Sequence, residues 1–142
     1  RTKTGLTTRI EDLAAALRAG AAGLYCVMAA VELLIGQERW LHRGDFVASF
    51  IELVPAAGEG ETMAFVDWRR ATARLKRGQL VCSSGEGQLL QLCASLAEGV
   101  PIDLGNALTS VDTSTVVLVA EAVLRAGGCA DPAPWGHDGG AR

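Results

Sequence analysis

The feature that most constrains this fold is a nearly uncharged run from Ala19 to Gln37, in which Glu32 is the only charged residue. Apolar residues recur there at the i, i+3, i+4, i+7 spacing of an α-helix. They are Leu24, Val27, Met28, Val31, Leu34 and Ile35. Alanines fill other faces, and a helix that is apolar nearly all round is typical of a bundle centre. The run is marginal in length for a bilayer crossing, so we expect a buried helix and no membrane span.

The segments on either side of this run also have helical periods with recognisable ends. Thr8 and Glu11 form a capping-box pattern that predicts the start of a first helix, and Gly20 is its expected C-terminal stop. Asp45 is the expected N-cap of a third helix, which Pro55 stops. The apolar stripe of that third helix consists of Phe46, Val47, Phe50, Ile51 and Val54.

The chain after Pro55 opens with a loop. Residues 56–62 hold two glycines and two glutamates without an apolar period, and residues 63–66 form a short apolar run compatible with extended backbone. Asp67 then caps a helix that Gly78 closes. The inner face of this helix is predicted to be Trp68, Ala71, Thr72 and Leu75.

Two further capped helices are predicted near the end of the chain. Ser83 and Glu86 make a second capping box that opens a leucine-rich helix, and a short turn or helix follows it. Asp112 caps the last helix. Its valines also have strand propensity, but the cap and the terminal Gly127-Gly128 favour a helix. We expect its inner residues to be Val116, Val117, Val119, Ala120, Val123 and Leu124.

These patterns together predict an all-α fold, a compact bundle of five or six helices around a central apolar helix. The length of 142 residues suits one domain, and 49% hydrophobic with 20% charged residues is a globular balance. We assign residues 1–128 to a single helical domain. Residues 129–142, with two prolines and three glycines, are predicted to be a flexible C-terminal tail.

The net charge and the cysteine content limit which partners and which cellular compartment are expected. A formal charge of −3 argues against a protein that wraps nucleic acid or binds membranes through a polybasic surface. Richness in Ala, Gly and Arg with only two lysines is typical of a high-GC bacterial genome. The four cysteines form no Cys-x-x-Cys pair, and with no secretion signal they favour reduced thiols in a cytoplasm. The sequence leaves open whether Cys82 and Cys93 form a disulfide.

The sequence offers no strong catalytic or metal-binding motif. It holds two histidines, of which His137 lies in the predicted tail, and the zinc-finger spacings are absent. The segment 82–87 lacks both the nucleophile-elbow and the Walker patterns, so its small residues are better explained as a helix N-cap than as an anion site. We therefore expect no metal and no cofactor, and enzymatic activity is not favoured.

Glu32 is the most informative single polar residue. A carboxylate inside an apolar helix is costly unless it is paired or exposed. Facing the core, it would be an acid, a base or an anchor for an arginine. Facing outward, it would lie on a solvent stripe or at the rim of a dimer, which is the commoner position for a charged residue. Arg39, His42 and Asp45 follow closely, and with Glu32 they form the candidate site for a small ligand or an enzymatic reaction.

A second candidate surface lies on the helix after Asp67. Five cations occur in nine residues there, and Arg70, Arg74 and Arg77 share one side at i, i+4, i+7. Such a face could bind phosphates, which makes a nucleic-acid-binding regulator the alternative function. Charge runs of this kind usually face water and pair with acidic neighbours, which is the interpretation we favour.

The favoured hypothesis is a small non-enzymatic interaction or adaptor protein of a bacterial cytoplasm. Its basis is the lack of a polar catalytic set beside an excess of Ala, Leu and Val for so small a bundle. Homodimers arise when apolar surface that remains exposed after the core has formed is buried against a second copy. The expected partner is therefore a second copy of the chain, or else another protein.

Overall fold

A computed structural model of the chain describes the backbone of residues 2–55 and 61–129, and the side chains from residue 9 onward within those ranges. Most of the predicted tail, residues 130–142, lies outside them. The described residues form seven α-helices, one 3-10 turn (Trp40–His42) and one two-stranded sheet. In chain order these are α1 (Thr2–Ala21), α2 (Tyr25–Gln37), α3 (Gly44–Phe50), β1 (Ile51–Pro55), β2 (Thr62–Val66), α4 (Trp68–Lys76), α5 (Ser84–Glu98), α6 (Leu104–Thr109) and α7 (Thr113–Ala126).

Helix α2 lies at the centre of the bundle, as its apolar character predicts. It packs against α1, α5 and α7. Its buried residues are Ala29, Ala30, Val31, Leu33 and Leu34. Gly36 lets α7 approach closely, because a Cβ there would lie 3.1 Å from the Leu118 side chain. Among the described residues, no helix has both the length and the apolar character that crossing a bilayer requires.

The fold is mostly helical but not strictly all-α, because it contains an antiparallel hairpin. The third helix ends at Phe50 rather than at Pro55, and β1 pairs with β2 in a register that places Leu53 opposite Ala64. Ile51 and Val54 therefore lie on a strand. Residues 63–66, which the sequence leaves compatible with extended backbone, belong to β2. β-branched residues next to a proline fit a strand at least as well as the end of a helix.

Helix α1 differs from the prediction at both ends. It begins at Thr2, so Thr8 is not its N-cap. Gly20 is not a stop signal either, because the helix continues through it to Ala21. A Cβ built on Gly20 would lie 2.3 Å from the carbonyl oxygen of Ala64. Gly20 is therefore the point at which α1 and β2 make a close backbone contact.

Side-chain caps start several helices where the sequence predicts them. Asp67 accepts a hydrogen bond from the backbone N–H of Arg70 at 3.1 Å, and Asp112 accepts one from Thr115 at 2.9 Å. Both bonds of the Ser83–Glu86 capping box are present. Asp45, in contrast, is not an N-cap, because α3 begins one residue before it and Arg43 holds the cap position.

The inner face predicted for α7 is largely wrong. Its buried residues are Thr115, Val119 and Ala122. Of the residues expected inside, only Val119 is fully buried, and Leu124 is half-buried. The other four, Val116, Val117, Ala120 and Val123, are exposed. The apolar residues of α7 occur on more than one side of the helix, so sequence periodicity alone leaves its buried side ambiguous.

Candidate functional site

Glu32 anchors an arginine from the neighbouring helix. Its carboxylate accepts two hydrogen bonds from Arg18, one from Nε at 2.7 Å and one from a terminal guanidinium nitrogen at 3.0 Å. The Glu32 side chain is 28% exposed and that of Arg18 is 52% exposed. The hydrogen bond to Glu32 raises the pKa of Arg18. The pair joins α1 to α2 at a partly solvated edge, so Glu32 does not face the core.

The other predicted site residues do not converge on Glu32. Arg39 donates a hydrogen bond to the Glu86 carboxylate at 3.3 Å. Asp45 forms a bidentate ion pair with Arg43, at 2.6 and 3.0 Å, and this hydrogen bonding lowers the pKa of the Asp45 carboxyl. Each charge in the segment 39–45 therefore has a structural partner of its own, and the four candidate residues do not form one catalytic group.

Arg43 lies in the same segment but is not one of the four candidate site residues, although it organises this segment. Its guanidinium lies over the Trp40 ring, 5.0 Å from the centroid, and donates to the backbone carbonyl of Val81. The indole N–H of Trp40 donates to the carbonyl of Glu86 at 3.0 Å. These bonds fasten the segment between α2 and α3 to the start of α5. The i, i+3 spacing of Trp40 and Arg43 is the sequence signal that could have revealed the stacked pair.

His42 lies on the wall shared by two open cavities of about 520 and 350 Å³, to which Ile10 and Leu41 also contribute. The larger cavity is mainly apolar and lies between α1, α3 and β1. The smaller one is bordered by the Arg18 side chain, by Glu11 of α1 and by Glu38, which follows the end of α2. The described lining residues include no serine, cysteine or lysine, so neither cavity presents one of those nucleophiles beside a base.

The four cysteines are free thiols, and Cys82 and Cys93 do not pair. Burial raises the pKa of both these thiols, and Cys93 is completely buried in the core. A thiol with a raised pKa is a poor nucleophile at neutral pH. Within the described parts of the chain, no three His, Cys, Asp or Glu side chains come together as a group able to hold a metal ion.

The arginines of α4 are used mainly within the fold. Arg69 donates to the carbonyl of Glu98 and forms an ion pair with its carboxylate at 3.3 Å. Arg70 donates to the carbonyl of Ser49 and stacks on the Phe50 ring at 5.1 Å, where Arg74 also lies at 5.8 Å. Arg77 is exposed. The three residues proposed for nucleic acid are thus not all directed outward as one basic surface.

The outstanding feature of the described surface is apolar and lies on α7. The outer face of α7 is defined here as Val116, Val117, Ala120, Val123 and Leu124. The three valines are 39%, 50% and 58% exposed in chain order. Of the two charged residues of the helix, Glu121 borders this face four positions after Val117, whereas Arg125 lies about 140° around the helix from Ala120. The outer face itself contains no charged residue.

The packing of α7 explains why this face points outward. Asp112 fixes the start of the helix, while Thr115, Val119 and Ala122 pack inward. The small residue Gly36 of α2 receives Leu118. With those positions buried, helical geometry directs the valines on the opposite side to solvent.

Comparison with protein-family models, with curated proteins and with solved structures finds no match to this chain.

Proposed function

We propose that this chain is a non-enzymatic protein-interaction domain that self-associates through the outer face of α7. The observation that carries the proposal is that three exposed valines share one uncharged helix face. Exposed single apolar residues are ordinary, but a contiguous apolar stripe marks a surface used for association. The polar residues support the same view, because Glu32, Arg39 and Asp45 each serve a structural ion pair.

The magnitude of the apolar exposure suggests a weak association. Burying a half-exposed valine contributes about 1 kcal/mol, so three valines from each of two copies contribute about 6 kcal/mol. This gain is offset by an association cost of roughly 4 kcal/mol or more. We therefore expect a dimer that forms only at high protein concentration. The location of the protein in a bacterial cytoplasm rests on its composition and stays a prediction.

Sedimentation velocity over a range of protein concentrations tests this proposal. The wild-type chain is expected to sediment faster as its concentration rises. Val117→Glu places a charge on the outer face and should abolish that dependence. The matched control is Val81→Glu, because Val81 is 82% exposed and belongs to the segment before α5, not to α7. A wild-type chain whose sedimentation coefficient does not rise up to the highest concentration at which it stays in solution, or equal behaviour of the two variants, would contradict the proposal.

A second candidate function is the binding of a small apolar molecule in the cavity of about 520 Å³ beside His42. Its volume and mainly apolar lining suit a small-molecule site. A thermal-shift screen of metabolites tests it, because a ligand that binds only the folded state raises the melting temperature. If no compound stabilises the wild-type chain, this candidate is excluded. A compound that stabilises wild type and His42→Ala equally would place the site elsewhere.

A further inference from the structure

We infer that the smaller of the two cavities beside His42 binds a small organic cation, a molecule with a protonated amine attached to a compact apolar body. This inference goes beyond the proposed self-association and does not depend on it. The cavity has a volume of about 350 Å³, which is within the usual range for small-molecule sites. It lies where α1 faces the end of α2 and the 3-10 turn.

The floor of the smaller cavity is apolar. It is formed by two buried residues, Ala14 and Leu41, and by two half-buried isoleucines, Ile10 and Ile35. A hydrocarbon group that lies on this floor removes apolar surface from water, which is favourable in proportion to the area covered. The floor therefore favours a ligand with an apolar body, and the residues at the mouth of the cavity decide which charge that ligand carries.

The charges at the mouth of the cavity favour a cation. Glu11 and Glu38 both border the cavity and are exposed. The described side chains form five ion pairs, and neither of these glutamates takes part in one. Arg18 also borders the cavity, but its charge is offset by the two hydrogen bonds that it donates to Glu32. A ligand ammonium group supplies the opposite charge and three N–H donors for the two carboxylates.

The position of Glu38 supports a role for its carboxylate. Glu38 follows the end of α2 with a φ of 72°, and it is the only non-glycine residue of the described ranges in the left-handed region. Gly99 holds the same position after α5, and glycine is the usual residue there because other side chains are disfavoured in this conformation. A carboxylate is also disfavoured at the C-terminal end of a helix, where the helix dipole is negative, whereas a bound cation is favoured. Helix termination therefore does not explain this glutamate, and recognition of a cation does.

Three probes with the same six-carbon chain and different charges test the inference: hexylamine, hexan-1-ol and hexanoate. Each is titrated into the full wild-type chain at neutral pH, where the amine is protonated and the acid is ionised, and binding is followed by amide NMR. Hexylamine is expected to shift the signals of the residues that line the smaller cavity. It should bind about fivefold more tightly than hexan-1-ol, because solvated ion pairs contribute up to about that factor. Hexanoate should bind more weakly than hexan-1-ol.

Charge-neutralising variants identify the carboxylates that bind the amine. Glu11→Gln and Glu38→Gln should each lower the affinity for hexylamine by about three- to fivefold and leave the affinity for hexan-1-ol unchanged. The matched control is Asp12→Asn, which removes the same charge from the next residue of α1, on the wall of the larger cavity, and should keep the wild-type affinity. Glu38→Gly should lose affinity as Glu38→Gln does, while it folds at least as stably as the wild type because glycine adopts left-handed backbone without strain.

Several results would overturn the inference. Equal affinities for hexylamine and hexan-1-ol would show that the cavity does not recognise a cation, and so would equal losses of affinity in Asp12→Asn and Glu11→Gln. Hexylamine shifts confined to residues that line only the larger cavity, such as Val47 and Leu53, would place the ligand there instead. No shift at all with hexylamine would remove the site. None of these results bears on self-association through α7, which sedimentation tests separately.

Discussion

Gly20→Ala offers a strong test of the packing between α1 and the hairpin. The added Cβ would lie 2.3 Å from the Ala64 carbonyl oxygen and 3.1 Å from the Phe65 ring. Real Cβ atoms essentially never come within 3.0 Å of such an atom, so α1 and β2 must separate by about 0.7 Å. Ala64 lies in a paired strand, opposite Leu53, and its carbonyl cannot move without moving the hairpin.

Two opposing terms set the size of the effect. Replacing glycine by alanine inside a helix stabilises it by about 1 kcal/mol. Overpacking against a rigid neighbour destabilises by about 1–3 kcal/mol, and the upper end applies where the neighbour is backbone. We therefore expect Gly20→Ala to lower the free energy of unfolding by about 2 kcal/mol. For a chain of this length that corresponds to a fall in Tm of roughly 4–8 °C.

Urea unfolding followed by circular dichroism measures this change, and Gly44→Ala is the matched control. Gly44 is the first residue of α3, and a Cβ built there meets nothing within 4 Å. The control should be as stable as wild type or slightly more stable. A Gly20→Ala variant that equals or exceeds wild type in stability would refute the close contact between α1 and β2.

Three further predictions concern the polar clusters and the thiols. The pKa of Asp45 is lowered in the folded protein, so its pair with Arg43 stabilises the fold above the unfolded pKa of about 3.9, and this stability is lost as the pH falls. In an acid titration, Arg43→Ala should therefore lose less of its folding stability than the wild type does. The exposed Arg18–Glu32 pair should show a coupling of about 1 kcal/mol or less in a double-mutant cycle monitored by urea unfolding, and a coupling of several kcal/mol would contradict its solvation. The buried Cys93 thiol should react with a thiol reagent only after denaturation, whereas labelling of the native protein would show that this part of the core opens.

Elements set by local chemistry could be predicted from the sequence. The Ser83–Glu86 capping box involves residues three positions apart, and the caps at Asp67 and Asp112 are equally local. The central position of α2 follows from its apolar character, because a helix that is apolar on most of its faces is stabilised by burial among other helices. In these cases the residues that produce the structural feature are close together in the sequence, so the same residues also predict it.

Features that depend on contacts between distant segments could not be predicted. The stripe from Phe46 to Val54 fits a helix, and only pairing with β2 makes its second half a strand. The partner of Glu32 is 14 residues away on another helix, so the sequence could suggest an arginine anchor but not identify Arg18. The valines of α7 occur on more than one side of the helix, and the side that faces water is fixed by packing against α2.

The central claim is that the outer face of α7 is the surface through which two copies meet. A dilution series of amide NMR spectra from the wild-type chain tests it most directly, because it locates the interface without any substitution. We expect the amide signals of residues 116–124 to shift as the protein is diluted, while those around Val81 stay fixed. Spectra that do not change with concentration, or shifts confined to another part of the molecule, would contradict it.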